Sequence, residues 1–332
     1  MSRRALVVAA VLLVVPGAAC SRGAEADAPA QAASTFAEPV SVDNCGRTVT
    51  LDGPPQRIIT MNGHVTETLI EMGAGDRIVG KGYAGRIDPQ SEAAAEYEKI
   101  PSLAEKYPTA EQVRDAEPDF VVGGMSSAFD EKSGLGREDL AGDGIESFLF
   151  SEYCGEGFSG IDVLRTDFTQ LGRVLDVPDQ AQALVDRIVG GLEDIKTRVD
   201  ASGEEPVPTF FYDSGTDQPV TIGSAGIGNV IAHYAGARNI TPDSPKPYFT
   251  SSWEMVGERA PEAIVVLDYG DQSAQDKIDF LKSQPVMQTT PAVQNDRFTV
   301  VPLDDMFESS RMVRAAGTVA RGVHPQAFGE AG

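Results

Sequence analysis

The sequence contains little cysteine, histidine or tryptophan. Its 332 residues include three cysteines, three histidines and one tryptophan. The histidines, His64, His233 and His324, are far apart, and no cysteine pair has the spacing of a zinc motif. No Gly-x-Ser-x-Gly nucleophile elbow occurs either. We therefore expect neither a directly bound metal nor a resident cofactor, and we expect no enzymatic activity.

Basic residues are also few relative to acidic ones. There are 27 Lys and Arg against 50 Asp and Glu, which gives a net charge of −23. A body this acidic repels nucleic acid, and it is repelled by anionic lipid unless it is covalently anchored. The charge is also consistent with solubility alone, which requires no partner.

The one long apolar run lies at the N-terminus. Residues 5–15 are apolar and follow Arg3 and Arg4. Eleven residues make a helix of ~16 Å, too short for a hydrocarbon core of ~30 Å, so the run is typical of a signal peptide. The small residues that lead into Cys20 resemble a lipobox, in which the cysteine is acylated. The alternative is an ordinary signal peptide with an incidental cysteine.

The segment after Cys20 is typical of a flexible tether. Residues 21–39 are rich in Ala, Ser, Glu, Asp and Pro and contain one large apolar residue. We expect a signal peptide over 1–19 and a tether over 20–39. The folded body would then be exported and held by lipid at the outer face of the cytoplasmic membrane.

Cys45 and Cys154 remain after Cys20 is assigned to lipid. In an exported protein such a pair favours a disulfide. The alternative is two buried free thiols.

Strand and helix patterns alternate along the body. Short apolar runs at 56–61, 77–80, 120–122 and 147–150 predict strands, and helical patterns lie between them. A second series has strands at 207–212, 263–267 and 298–301. Between the series, apolar residues at three- and four-residue steps after Pro178 predict one long helix. We expect an α/β fold with an N-terminal lobe (40–177), a bridging helix (178–202) and a C-terminal lobe (203–332).

An internal repeat indicates that the lobes are alike. Residues 111–122 and 254–265 share a Glu followed by Val two residues later, Pro seven residues later and then an apolar strand. Glu111 and Glu254 thus begin equivalent helices. Each Glu also has a simpler interpretation, because Thr109 with Gln112 and Ser251 with Glu254 fit capping boxes and acids suit a first helical turn.

Six short motifs follow one another along the chain, at residues 44–49 (NCGRTV), 55–59 (PQRII), 67–69 (ETL), 73–80 (GAGDRIVG), 117–119 (EPD) and 310–311 (SR). In this order they resemble the periplasmic binding proteins that serve ABC importers of ferric siderophores, haem and vitamin B12. The resemblance runs from about residue 40 to residue 321. It implies two α/β lobes joined by one long helix, with a ligand cleft between them.

The resemblance also implies function. It implies a monomer that binds a bulky iron chelate, a ferric siderophore, and delivers it to a permease driven by an ATPase. Family members carry one surface Glu on each lobe that docks onto permease arginines, and these positions match Glu111 and Glu254. Few basic residues in the loops favour a hydroxamate or another weakly charged chelate. The alternatives are import of haem, with His64 or Tyr83 as the axial ligand, import of a corrinoid or F420-like cofactor, or a ligand sensor or scaffold that does not transport.

Open α/β sheets bind ligands at the carboxyl ends of their strands. Loops and helix starts in those places supply the predicted ligand contacts. They are His64, Tyr83, Arg86, Tyr212, Trp253 and Arg311. Trp253 is equally consistent with packing at a helix start, and Arg311 with bracing the C-terminal helix.

Overall fold

Two parallel four-stranded sheets organise the chain. The computed structural model describes residues 35–85, 87, 91–155 and 160–329. The predicted signal peptide, Cys20, most of the predicted tether and Arg86 lie outside the described residues. Among the described helices, none combines the length and hydropathy needed to cross a membrane.

The N-terminal lobe opens with an antiparallel hairpin and continues with a parallel sheet. The hairpin strands are β1 (Val40–Asn44) and β2 (Arg47–Leu51). The sheet strands are β3 (Ile58–Thr60), β4 (Ile78–Lys81), β5 (Phe120–Gly123) and β6 (Glu146–Leu149), in the spatial order β4-β3-β5-β6. Every residue of β3 and β5 is buried, as expected for parallel strands covered on both faces.

The C-terminal lobe repeats this plan. Its parallel strands are β7 (Val207–Tyr212), β9 (Ala237–Asn239), β11 (Ala263–Asp268) and β12 (Phe298–Pro302), in the order β12-β11-β7-β9. A separate antiparallel pair consists of β8 (Val220–Ile222) and β10 (Tyr248–Thr250).

Helices cover the sheets. In the N-terminal lobe they are α1 (Gly63–Glu71), α2 (Ala94–Tyr97), α3 (Ala110–Asp115), α4 (Arg137–Gly142) and α5 (Ile161–Val174). After the bridging helix α6 (Pro178–Ser202), the C-terminal lobe contains α7 (Gly226–Tyr234), α8 (Trp253–Glu258), α9 (Ala274–Ser283), α10 (Pro291–Gln294), α11 (Arg311–Val323) and α12 (Pro325–Phe328). The sequence did not predict α5 or the two antiparallel pairs.

The lobes are topologically equivalent. In each sheet the first strand in sequence lies between the second and the third, and the fourth lies outside the third. The repeated segments form α3 leading into β5 and α8 leading into β11, so they occupy the same place in both lobes. The predicted α/β fold with two similar lobes is therefore confirmed.

Helix α6 has the bounds that the sequence predicted. Pro178 lies in its first turn, where a missing N–H is tolerated, and Gly203 ends it with φ 72° in the left-handed region. Its buried face consists of Ala181, Leu184, Val185, Ile188, Leu192 and Val199. The lobe boundaries at 177 and 203 stay predictions.

A disulfide joins Cys45 to Cys154, as predicted, with 4.9 Å between the two Cα atoms. Cys45 lies in the turn between β1 and β2, and Cys154 follows β6. The bridge therefore ties the N-terminal hairpin to the carboxyl end of the sheet.

Candidate functional site

The loops at the carboxyl ends of the two sheets face each other. A Cβ added to Gly85, which follows β4, would lie 2.8 Å from an Asp304 carboxylate oxygen, which follows β12. Glu152, after β6, accepts a hydrogen bond of 2.9 Å from the Ile227 N–H at the start of α7. A cavity of about 640 Å³ opens where Ile87 meets the C-terminal lobe. Parallel sheets bind ligands at this edge, so this interlobe junction is the candidate cleft.

A second cavity, of about 530 Å³, lies between α6 and α11. It is lined mainly by residues of helices, such as Ile195 and Val313, and Ser310, the N-cap of α11, is the one lining residue from a connection that follows a sheet strand. We therefore assign the candidate site to the interlobe junction.

Tyrosines concentrate at the junction. The chain has eight, and five lie there: Tyr83, Tyr107, Tyr153, Tyr248 and Tyr269. The rings of Tyr83 and Tyr107 are 5.1 Å apart between centroids. Tyr153 of the N-terminal lobe lies within electrostatic range of Tyr248 of the C-terminal lobe. Phenol rings offer both an apolar face and a polar edge, which suits a bulky amphipathic ligand.

Tyr83 is the most accessible of these rings, with 45% of its surface exposed. Its backbone has φ 41°, in the left-handed region that a non-glycine residue rarely adopts. The conformation is held by a bond of 2.8 Å from the Tyr83 N–H to the Lys106 carbonyl and one of 3.2 Å from the Gly63 N–H to the Tyr83 carbonyl. Strained residues cluster at functional sites, so this placement supports the ligand contact predicted for Tyr83.

Tyr107 is fixed by polar neighbours. Asn62 Nδ2 donates to its hydroxyl at 3.2 Å, and Ser127 Oγ lies 2.9 Å from the same oxygen. Asn62 Oδ1 in turn accepts from the Gly124 N–H at 2.9 Å. This network holds the Tyr107 ring against Tyr83.

His64 lies at the start of α1 and is buried. Its ring stacks on Phe307 of the C-terminal lobe, with 4.8 Å between centroids, and meets the edge of Phe150 at 6.0 Å. Burial, and then the positive charge of Arg311, lower the pKa of His64 to about 3. The imidazole is therefore neutral near pH 7. Its Nε2 is buried and has no hydrogen-bond partner among the described residues.

Arg311 is engaged by acids from both lobes. Its Nε donates to Glu67 Oε2 at 2.5 Å, and its Nη1 lies 3.9 Å from Asp304 Oδ2. The Arg311 side chain is only 6% exposed. This geometry favours the bracing role over a direct ligand contact, and the bracing joins α11 to α1.

Two of the predicted ligand contacts lie in the core of the C-terminal lobe. Tyr212 is fully buried, stacks on Phe280 and donates to the Gly215 carbonyl at 3.3 Å. Trp253 is 6% exposed and donates from Nε1 to the Thr216 carbonyl at 2.9 Å. The packing interpretation fits both residues, because a ligand contact would require their rings to leave this core.

A buried lysine supports the C-terminal wall of the cleft. Lys277 Nζ donates to the carbonyls of Asp213, at 2.8 Å, and Leu267, at 2.7 Å, and it lies 4.1 Å from the centre of the Tyr269 ring. The Tyr269 hydroxyl donates to Asp213 Oδ2 at 2.9 Å. Burial lowers the pKa of Lys277, and the Asp213 charge opposes that change. The contacts fix the ends of β7 and β11.

Glu111 and Glu254 occupy the same position in their helices. Each is the second residue after the N-cap, which is Thr109 in α3 and Ser252 in α8. Both are exposed, and neither carboxylate has a hydrogen bond or ion pair among the described residues. The arrangement leaves both acids available to a partner.

The capping predictions had different outcomes. The box of Thr109 with Gln112 is confirmed. The box of Ser251 with Glu254 is wrong, because the chain enters α8 one residue later and Ser252 Oγ accepts from the Met255 N–H at 3.2 Å. Glu254 therefore does not close a capping box.

Three buried acids that the sequence did not single out lie where the lobes meet. They are Glu152, Asp167 and Glu308, each at most 1% exposed. Burial, in each case the largest cause, raises the pKa of Glu152 to about 8 and that of Asp167 to about 6, and it raises the pKa of Glu308 well above its usual value. Among the described residues no group of His, Cys, Asp or Glu is placed to hold a metal ion. The raised pKa values favour the protonated forms of Glu152 and Glu308 near pH 7.

Comparison with known proteins agrees with this geometry. The profile of the periplasmic binding protein family matches residues 58–304. An uncharacterized ABC transporter substrate-binding lipoprotein of Bacillus subtilis is 22% identical over 99% of this chain and all of its own length.

Solved structures share the fold. A periplasmic binding protein from Veillonella parvula superposes with a TM-score of 0.77 at 22% identity, covering 87% of this chain and 98% of that one. A protein of an ABC-type Fe3+-hydroxamate transport system from Saccharomonospora viridis superposes with a TM-score of 0.71 at 24% identity, covering 88% and 99%. The chain therefore belongs to the periplasmic binding protein family, which consists of solute-binding proteins and not of enzymes.

Proposed function

We propose that this protein binds a ferric siderophore in the interlobe cleft and delivers it to the permease of an ABC importer. The observation that carries the proposal is the group of tyrosines contributed by both lobes at the carboxyl ends of equivalent sheets. In the proposal the protein works as a monomer, is exported and is held at the membrane by lipid on Cys20. The similar lipoprotein of Bacillus subtilis supports the anchor.

The charges at the cleft support a weakly charged chelate. Arg311 is engaged by Glu67 and Asp304, so its positive charge is compensated. Asp213 lies beside Tyr269 on the opposite wall. An anionic catecholate or citrate complex would meet these carboxylates, whereas a ferric hydroxamate would not be repelled. One of the similar solved structures is of a Fe3+-hydroxamate transport protein, which agrees with this choice.

Haem is the second candidate, and His64 is the observation that favours it. Its imidazole is neutral near pH 7 and its Nε2 has no partner among the described residues. A neutral imidazole is a haem ligand. Purified protein that shows a Soret band after haem addition, and loses it in His64→Ala, would favour haem over a siderophore.

The proposal is tested by uptake. Cells that lack this protein should take up little ⁵⁵Fe from ferrioxamine B, a ferric hydroxamate, and the wild-type gene should restore uptake. Cys20→Ala should release the protein from the membrane fraction. Undiminished uptake in the deletion strain, with the wild type unable to bind ferrioxamine B in vitro, would overturn the proposal.

A further inference from the structure

Tyr248 has a hydroxyl group with no visible structural use. It begins β10, where it pairs with Ile222 of β8, and its ring packs against the core. The hydroxyl oxygen is buried and has no hydrogen-bond partner among the described residues. Five other tyrosine hydroxyls do have partners: those of Tyr97, Tyr107, Tyr212, Tyr234 and Tyr269. A buried unsatisfied polar group in a native protein requires an explanation.

The neighbours of Tyr248 come from both lobes. Glu152 of the N-terminal lobe and Asp213 and Tyr269 of the C-terminal lobe lie within electrostatic range of it. One oxygen of each of the two carboxyls already accepts from another donor. Glu152 Oε1 accepts from the Ile227 N–H, and Asp213 Oδ2 accepts from the Tyr269 and Ser214 hydroxyls. The Tyr248 hydroxyl therefore lies among groups of both lobes, and no acceptor among the described residues pairs with it.

The hydroxyl remains a donor at every physiological pH. Burial, and then the charges of Glu152 and Asp213, raise the pKa of Tyr248 well above 10. The phenol thus keeps its proton. Asp213, whose Oδ2 accepts from two hydroxyls as a carboxylate does, disfavours an anionic group at this place, so the acceptor that suits the site is an uncharged oxygen.

We propose that Tyr248 is a specificity-determining residue of the cleft, whose hydroxyl donates a hydrogen bond to an uncharged acceptor oxygen of the imported ligand, such as a hydroxamate or amide carbonyl. The inference rests on the proposed function, because it requires that the ligand lies between the lobes. A ligand without such an oxygen would leave the buried hydroxyl unpaired, which is how a polar site rejects an analogue.

Tyr248→Phe removes the hydroxyl and keeps the ring. Titration calorimetry with ferrioxamine B should show affinity weakened about tenfold, which corresponds to about 1.4 kcal/mol, the size of one hydrogen bond. The melting temperature of the ligand-free protein should stay the same or rise, because an unsatisfied buried group is removed. A residue with a purely structural hydroxyl would instead lose stability.

Two matched variants complete the test. Tyr234→Phe removes a hydroxyl that bonds to Glu193 away from the cleft, and its affinity for ferrioxamine B should equal that of the wild type. Tyr269→Phe loses the bond to Asp213 and should melt at a lower temperature than Tyr248→Phe. Unchanged affinity in Tyr248→Phe, or a fall in its ligand-free melting temperature like that of Tyr269→Phe, overturns the inference alone. A wild type that does not bind ferrioxamine B overturns the proposed siderophore function and the inference with it.

Discussion

Arg311 of α11 and Glu67 of α1 form an ion pair buried between the two lobes. The distance between Nε and Oε2 is 2.5 Å, and the two side chains are 6% and 3% exposed. Because their helices belong to different lobes, the pair links the lobes at the edge of the cleft. Removing one partner of a pair buried this deeply leaves an uncompensated charge in the interior, which destabilises the folded protein.

Removal of one partner should therefore be costly. Arg311→Met should lower the free energy of unfolding by about 3–5 kcal/mol, because Glu67 would be left as an uncompensated buried charge. Glu67→Leu together with Arg311→Met should recover much of that loss. Urea unfolding of the single and double variants measures both effects.

Arg187→Met is the control. Arg187 is 54% exposed in its pair with Glu71, so this substitution should lower the free energy of unfolding by only about 0–1 kcal/mol. A single Arg311→Met variant as stable as the wild type would show that the pair does not brace the lobes.

Stability should fall as the pH rises from about 6.5 to 9. The pKa of Glu152 is raised to about 8 and that of Glu308 is raised well above its usual value, both chiefly by burial. A raised folded pKa contributes stability below the unfolded pKa, near 4.5, and that contribution is lost as the pH rises through the folded pKa. His64, with its pKa lowered to about 3, acts in the opposite direction only below pH 6.5.

Glu308→Gln isolates this effect. An amide is neutral at every pH and can donate to Asp167, so the variant should melt higher than the wild type at pH 8.5 and show a shallower fall in melting temperature between pH 6.5 and 9. Glu92→Gln, whose side chain is 93% exposed, serves as the control and should keep the wild-type profile. A Glu308→Gln profile parallel to that of the wild type would contradict the assignment.

The disulfide should contribute substantially to stability. Cys45 and Cys154 are separated by 109 residues, and cross-linking a loop of that length adds about 3–5 kcal/mol on the chain-entropy estimate. Cys45→Ser with Cys154→Ser should lower the unfolding free energy by that amount. The mature protein, denatured without reductant, should give no thiol reaction. Two reactive thiols in that assay would show that the bridge does not form.

Glu111 and Glu254 should matter for uptake and not for binding. Each exposed ion pair to a permease contributes about 0–1 kcal/mol, but two on one body act together. Glu111→Gln and Glu254→Gln should each reduce uptake, and the double variant should abolish it, with affinity for ligand and melting temperature near those of the wild type. Neither Glu closes a capping box, so the helices should tolerate the change. Full uptake by the double variant would contradict docking of Glu111 and Glu254 onto the permease. Both residues would then be only favourable charges at helix starts.

The sequence predicted the elements whose pattern is local. Helix α6 has a proline start, a glycine end and a three-to-four residue period, and its bounds were predicted correctly. The repeated residues 111–122 and 254–265 likewise form a local pattern, and from it the equivalent positions of α3 and α8 were predicted. The Ser251 box was misplaced by one residue because Ser251 and Ser252 both suit an N-cap, and only the packing of Ser251 in the interior decides between them.

Much of the cleft depended on contacts that sequence does not reveal. Tyr248 lies in an antiparallel pair that was not predicted, and its orphan hydroxyl is visible only once both lobes surround it. Tyr212 was predicted to contact ligand because it lies at the carboxyl end of a strand, and it is indeed the last residue of β7. Its side chain, however, is buried in the core. The sequence does not distinguish Glu152, Asp167 and Glu308 from the many other acidic residues. Only their burial in the folded protein sets them apart.

Titration calorimetry of the purified protein with ferrioxamine B, repeated for Tyr83→Ala, Arg86→Ala and Tyr234→Ala, tests the central claim most directly. The account predicts that the wild type binds, that Tyr83→Ala and Arg86→Ala each weaken binding by about 1–3 kcal/mol, and that Tyr234→Ala, outside the cleft, leaves affinity unchanged. A wild type that binds while Tyr83→Ala and Arg86→Ala both keep its affinity would place the ligand elsewhere. A wild type that does not bind ferrioxamine B would contradict the assignment of a ferric hydroxamate as the ligand.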